Sequence, residues 1–302
     1  MKTKRKLVCM AIVLCWMASA YAQTHTFGNG MKMIGDLSSF NEPVKKEPKL
    51  IFDTAHVKVY YELEFIEDTV KMKKFKMQTV LLQGDTHSLF LDRQELMRDS
   101  VYDDAVEKKK SAMEFMDESF SKPFEKEYEQ VVLCDFQKGK TIIRENSWGR
   151  KFQYEEPIPV MTWSLCEGDT VINNTACAKA TCHYRGRDYV AWYAKDIGLP
   201  LGPYLFQGLP GLVVLLSDTK GHYQFTLNGL DMQPTSTNIV FLTKNGGFGF
   251  MEGTREKMRA AIRKTKEFPE ELLMSVIGTT MDVKETTGMK KGADPYNPIE
   301  LE

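Results

Sequence analysis

The sequence predicts a mainly β (α+β) fold: an antiparallel β-sheet core, arranged as a curved sheet, sandwich or half-barrel, with a C-terminal helix and a helical or mobile insert near residues 102–120. Three observations carry this expectation. Apolar and polar residues alternate with period two over many short segments, the mark of half-buried antiparallel strands. Gly, Pro, Asn and Asp punctuate those segments at short intervals. Only one long stretch, from Thr254 to Lys266, has strong helical spacing, with Met258, Ala261, Ile262 and Thr265 on one face and Thr254 placed to cap it.

Taken in order, Val57, Val59, Tyr61, Leu63 and Phe65 share one face of the first strand, while Lys58, Glu62 and Glu64 share the other. Asp68-Thr69 turns the chain into a second strand from Lys73 to Leu82, and Ser88 to Leu91 forms a third. Residues 102–120 break the pattern. Asp103-Asp104 can cap a helix there, on which Val106, Met113, Met116 and Phe120 recur near helical spacing. Strands resume over 129–136 and 141–143. Pro157 and Pro159 make 152–165 an edge or a bend, because proline cannot donate to a ladder. Segments 176–184, 188–193, 212–216, 223–227 and 239–243 then read as strands, separated by Gly, Pro, Asn and Asp. Past the helix, Pro269 opens a helical turn through Leu272 and Leu273, and residues 289–302 form an extended tail.

Residues 1–22 have the pattern of an export signal rather than of folded structure. Lys2, Lys4, Arg5 and Lys6 precede an apolar run from Leu7 to Met17, and Ala20-Tyr21-Ala22 is a small-x-small cleavage site leaving Gln23 as the mature N-terminus. The run is shorter than the roughly 20 residues a spanning helix needs, and no transmembrane segment is expected after its removal. Bulky Leu14 before Cys15 argues against lipidation. Residues 23–50 are polar and read as an exposed lead-in to one β-rich domain over 51–288. Cleavage removes four basic residues and no acidic one, so the formal net charge of −1 becomes −5. That balance gives no reason to expect nucleic acid as a partner.

Catalytic signatures are missing. The five histidines form no HExxH or other two-His spacing, there is no GxSxG elbow, and Gly246-Gly247-Phe248-Gly249 lacks the Lys-Ser/Thr that would cradle phosphate. No metal site and no cofactor is expected. Four cysteines survive processing: Cys134, Cys166, Cys177 and Cys182. In an oxidising compartment these allow two disulfides in three connectivities. Cys177 and Cys182 are five apart on a strand, so they face opposite ways and should not pair. A Cys166–Cys177 bridge across a hairpin at Gly168-Asp169 would leave Cys134 for Cys182.

The most distinctive passage is Gly208-Leu209-Pro210-Gly211-Leu212. Pro210 fixes its own φ, and Gly211 is expected to take the positive φ of a type II turn before a buried strand. Upstream lie Cys177-Ala178-Lys179-Ala180-Thr181, Gly186-Arg187, Ala191-Trp192-Tyr193 and Gly202-Pro203, and the chain closes on Tyr296-Asn297-Pro298-Ile299-Glu300-Leu301. On these residues the sequence resembles the GLPGLI family of exported Bacteroidetes proteins. Val213 stands where that family has a final Ile, and Gly198 lengthens the step before Pro200. The resemblance implies an exported protein of the periplasm, cell surface or medium, and no reaction. From the residues themselves, Arg187, Trp192, Tyr193 and Tyr204 are the candidate binding set, since arginine and aromatics dominate recognition surfaces. The plainer expectation is that Trp192 and Tyr204 pack in the sheet while Arg187 ties a loop carbonyl or an acid. The leading expectation is a non-enzymatic binding or envelope protein with an envelope protein, peptide or glycan as partner. A hydrolase whose residues meet only in the fold, and a structural envelope component, are the alternatives.

Overall fold

The computed structural model describes residues 23–28, 30, 32–35, 37–46, 49–121, 128–147, 150–235, 237–242, 250–268 and 294–302. The expected export signal, the 246–249 glycines, the helical turn from Pro269 and the first residues of the tail lie outside the described residues. The strands are β1 (Gln23–Thr26), β2 (Lys32–Gly35), β3 (Lys49–Ala55), β4 (Val57–Asp68), β5 (Lys73–Gln83), β6 (His87–Asp92), β7 (Gln130–Asp135), β8 (Lys140–Ser147), β9 (Arg150–Pro157), β10 (Ser164–Ile172), β11 (Thr175–Tyr184), β12 (Arg187–Ala194), β13 (Val213–Asp218), β14 (Tyr223–Asp231), β15 (Thr237–Leu242) and β16 (Phe250–Glu252). Three helices join them: α1 (Arg93–Glu107), α2 (Ala112–Ser119) and α3 (Arg255–Glu267).

The chain divides into two compact units, Met1–Glu47 with Glu95–Glu125 and Pro48–Gln94 with Lys126–Glu302. The first holds the β1–β2 hairpin, a 3-10 turn at Ser38–Asn41, most of α1, and α2. Residues expected to be an exposed lead-in are therefore tied down: Val44 N–H donates to Lys110 O at 2.9 Å, Ala112 N–H donates to Glu42 O at 2.9 Å, and Phe27 packs edge-on against Phe120. The insert is helical, and it begins earlier than expected. Asp92, not Asp103-Asp104, caps α1 by accepting from Gln94 N–H at 2.7 Å. Ser111 and Glu114 form a capping box that starts α2.

The second unit is built on one twelve-stranded sheet in the order β10-β11-β12-β13-β14-β4-β5-β6-β7-β8-β9-β16, antiparallel throughout except where β16 runs parallel to β9. β3 and β15 pair separately. The mainly β class and the C-terminal helix are thus as expected. β4 shows why: Val57, Val59, Tyr61 and Leu63 are buried in strict alternation with half-buried residues. Burial of each such side chain contributes about 1.5–3 kcal/mol.

The sheet is strongly curved. β11 and β9 stand nine places apart, which in a flat sheet would be about 43 Å. Yet Arg185, in the turn after β11, places Nη2 2.8 Å from Oε2 of Glu156 on β9. One contiguous core follows from this, with Tyr184 and Tyr189 on one side and Phe152 and Tyr154 on the other. Helix α3 packs on β8 and β9, its Met258, Ile262 and Thr265 buried as the sequence indicates, and Thr254 caps it.

Three local expectations are corrected. The β10–β11 hairpin turns at Asn173-Asn174, with φ of 48° and 62°, the signs of a type I′ turn; Gly168 sits in a bulge instead. The four expected disulfide cysteines are thiols. Cys166 lies opposite Lys179 rather than Cys177; Cys177 packs with Ala194 and Val214, while Cys182, facing the other way, joins the main core; and Cys134 lies between Ser88 and Thr141 on β7. Burial pushes the Cys182 thiol up to about 12. Finally, Gly208 takes the positive φ of 93°, and Gly211 does not. Gly211 is required for another reason: a Cβ there would overlap Ala194 O.

Candidate functional site

The hollow of the curved sheet is filled by the chain's own C-terminal segment, Asp294 to Glu302. Asp294 N–H bonds to Lys266 O at 2.7 Å, tying the segment to the end of α3. From there the chain runs without regular secondary structure and bends at Ile299, with Asn297, Ile299 and Glu300 buried. Four consecutive main-chain carbonyls accept hydrogen bonds from side chains of the sheet and helix. Tyr223 Oη donates to Asn297 O at 2.7 Å, and Arg187 Nη2 to Pro298 O at 2.6 Å. Arg187 Nε and Tyr189 Oη both donate to Ile299 O at 3.1 Å, and Arg259 Nη2 donates to Glu300 O at 2.5 Å. Beyond them, Leu301 N–H donates to Arg185 O at 2.9 Å.

Two polar side chains of the segment sit in sockets. Asn297 accepts from Arg187 Nη2 at Oδ1, 2.6 Å, and donates from Nδ2 to Ile66 O, 2.5 Å, so both ends of its amide are read. Glu300, fully buried, accepts from Tyr184 and Tyr204 hydroxyls at 3.0 and 2.7 Å on one oxygen. Its other oxygen accepts from Arg255 Nη2 at 2.6 Å, with Arg259 Nη1 at 3.9 Å. Burial, reinforced by the Glu300 charge, pushes the Tyr184 and Tyr204 phenols well above their ordinary range, so both remain hydrogen donors. Arg187 is itself anchored by Asp218 at 3.0 Å, both side chains 2% exposed.

A cavity of ≈ 60 Å³ remains beside the segment, lined by Tyr128, Glu129, Glu145, Tyr223, Lys266 and Asn297 among others. That is room for about two waters. Burial pushes the Glu145 carboxyl up, although Gln130 Nε2 donates to it at 2.6 Å. Glu129 forms an ion pair with Lys266 at 3.0 Å. A second, open cleft is lined by Tyr154, Glu156, Arg185, Thr254 and Arg255. Among the described residues, no group of three His, Cys, Asp or Glu is placed to hold a metal ion. No described helix is long and apolar enough to cross a membrane.

The four candidate binding residues do not share an exposed face. Arg187 and Tyr204 point into the hollow and hold the C-terminal segment, and Tyr193 is buried in the core. Trp192 lies on the opposite face of β12, half-buried, across from Leu215 and beneath Lys179. Leu209 and Leu212 of the glycine-proline passage are core residues. His183 pairs with Asp188 at 2.7 Å on the surface, and His222 lies 3.3 Å from Arg187. Sequence reasoning gave no role to Asn297, Glu300, Arg255, Arg259 or Tyr223, although Tyr189 lies in the arginine and aromatic cluster from which the candidate binding set was drawn. Two signals were available: the closing Tyr296 to Leu301 stretch, already distinctive in the sequence, and α3, where Arg255 and Arg259 flank the apolar stripe at helical spacing.

No family model matches the chain, and no curated protein matches it. Among solved structures it is similar to PNGF-II in its P21 and C2 crystal forms, with TM-scores of 0.44 and 0.43 and 10% identity. The match covers 71% of this chain and 34% of those, so the chain spans about a third of their length.

Proposed function

We propose that this is an exported, non-enzymatic binding protein of the periplasm or cell surface, of the GLPGLI type it resembles, whose hollow β-sheet reads a peptide main chain. The observation that carries this is the run of four consecutive carbonyls, residues 297–300, each met by a buried donor. Donors aimed at main-chain carbonyls recognise backbone before side chains, which is how extended-peptide grooves gain affinity. The chain's own C-terminal segment is the resident occupant, and a peptide partner takes its place. Export is supported by the signal-like residues 1–22.

The test uses the full chain carrying Asn297→Ala and Ile299→Ala, which loosen the resident segment but leave the groove intact. A fluorescent nonapeptide with the sequence of residues 294–302 should bind it saturably. Adding Arg187→Met together with Asp218→Leu, which leaves no charge buried, should abolish that binding. If limited proteolysis shows the segment released and no saturable binding is seen, the peptide groove is refuted.

A hydrolase is the second reading, on one specific observation: Glu145, its carboxyl raised by burial, shares a cavity with the Lys266-paired Glu129. Unlike carboxyls side by side are the means of acid–base chemistry. A chromogenic glycoside or ester turned over by the wild type and not by Glu145→Gln would put this reading first.

A further inference from the structure

We infer that the peptide partner is acidic, and that the groove selects an Asn-x-aliphatic-Glu order through the socket formed by Tyr184, Tyr204, Arg255 and Arg259; this rests on the peptide groove proposed above. The charge of the emptied socket decides the point. When Glu300 leaves, two guanidinium groups remain, their side chains 11% and 8% exposed. Outside the segment two carboxylates act on them: Glu156, which already pairs with Arg185 at 2.8 Å and stands 3.6 Å from Arg255 Nε, and Glu145, whose charge acts on Arg259. Burial, which persists when Glu300 departs, pushes both the Glu156 and the Glu145 carboxyls up, and Glu156 is already shared with Arg185, so neither fully replaces the departed anion.

Donor capacity is in surplus even with Glu300 bound. Arg255 Nε and Arg259 Nη1 are buried and have no hydrogen-bond partner among the described residues. A replacement peptide that brought a neutral group here would leave buried cations uncompensated, which is far costlier than a lost surface pair. The remaining selectivity is geometric. Asn at the 297 position satisfies Arg187 and Ile66 O together, and Ile at 299 fills a site that is 1% exposed. The two polar sockets are separate, the Asn297 amide on Arg187 and Ile66 O and the Glu300 carboxylate on Tyr184, Tyr204 and Arg255.

Covalent attachment makes return of the resident segment intramolecular, an advantage against which a free peptide must compete. Cutting the link removes that advantage. A protease site is inserted between Met289 and Lys290, and the protein is folded intact and then cut. Exchange of the freed segment is followed by anisotropy of the labelled 294–302 nonapeptide, with unlabelled competitors. The wild-type peptide should compete, the Glu300→Gln peptide about 10²–10³-fold more weakly, and the Asn297→Ala peptide about tenfold more weakly. A Glu300→Gln peptide within threefold of wild type overturns acid selection and leaves the peptide groove standing. Loss of the freed segment without uptake of any peptide overturns both. If the freed segment survives gel filtration, its dissociation half-life is read instead, and Glu300→Gln in the chain must shorten it at least 100-fold. Elution of the cut protein as a dimer that excludes peptide would make a second copy the occupant, and the inference would fail.

Discussion

The two faces of the second unit's sheet carry ion pairs of opposite character. On the hollow side, Arg187 meets Asp218 with both side chains 2% exposed, and the same guanidinium holds three groups of the C-terminal segment. On the other side, where Glu62 and Glu64 alternate with buried Tyr61 and Leu63, Lys76 lies 3.1 Å from Glu62 and 2.6 Å from Glu64, with its own side chain 60% exposed. The distances are alike and the physics is not. Water has been excluded from the first pair, so each partner depends on the other. Solvent and salt screen the second, and the lysine has water as an alternative. Distance alone says little about what an ion pair holds together.

Breaking the buried pair should therefore have the largest effect. Asp218→Ala leaves Arg187 without its carboxylate and removes the acceptor for Tyr223 N–H, 2.8 Å away. It should destabilise the protein by about 3–5 kcal/mol in chemical denaturation. Arg187→Met with Asp218→Leu should recover part of that loss, because no charge is then left buried, while still loosening residues 297–299. A loss below about 1 kcal/mol for Asp218→Ala would erase the difference between the two faces.

Next in size is Gly211→Ala. Its Cβ would overlap the backbone of Ala194, which is itself bonded through N–H to Leu212 O at 2.8 Å, so neither side can give cheaply. Forced overlap of this kind in a packed interior costs about 1–3 kcal/mol, and thermal denaturation should show it. The loss falls on the hollow side, because Val213 next to it also carries the carbonyl that accepts from Tyr61 Oη at 3.0 Å.

These two sites also mark what could be read in the sequence. The strands were legible because Val57 to Phe65 and their like alternate with period two, and α3 because Met258, Ile262 and Thr265 recur at helical spacing. The glycine-proline passage was legible as a turn before a buried strand, but not in its mechanism: the sequence shows that Gly211 is glycine and not whether torsion or space requires it. The site itself was hidden for a different reason. Arg187 and Tyr204 look like surface recognition residues because arginine and tyrosine are amphipathic. Their partners, Asn297 and Glu300, lie about a hundred residues away in a stretch whose composition reads as solvent-exposed. Long-range closure of a curved sheet leaves no local periodicity, so the burial of Glu300 is invisible until the fold is assembled.

The smallest effect should come from Lys76→Ala on the outer face, and its pH dependence tests the contrast most finely. Hydrogen bonds from Lys74 and Lys76 hold the Glu64 carboxyl below its usual range, and Glu64 and Glu62 hold the Lys76 ammonium above its own. A depressed carboxyl contributes stability above its unfolded pKa of roughly 4.3 and loses it as pH falls through the folded value. A raised ammonium contributes stability below about 10.4 and loses it as pH rises further. The difference in melting temperature between wild type and Lys76→Ala should thus be flat from about pH 5 to 9 and shrink outside that window. It should be at the edge of detection in low salt and vanish at about 1 M, where charges are screened within 3 Å. Asp218→Ala measured in the same series should keep its full effect in high salt, because the ions that screen Lys76 cannot reach a carboxylate enclosed by Arg187 and Tyr223. If both variants faded together with salt, water would be reaching the hollow side, and the sheet would not shield Arg187 in the way its burial requires.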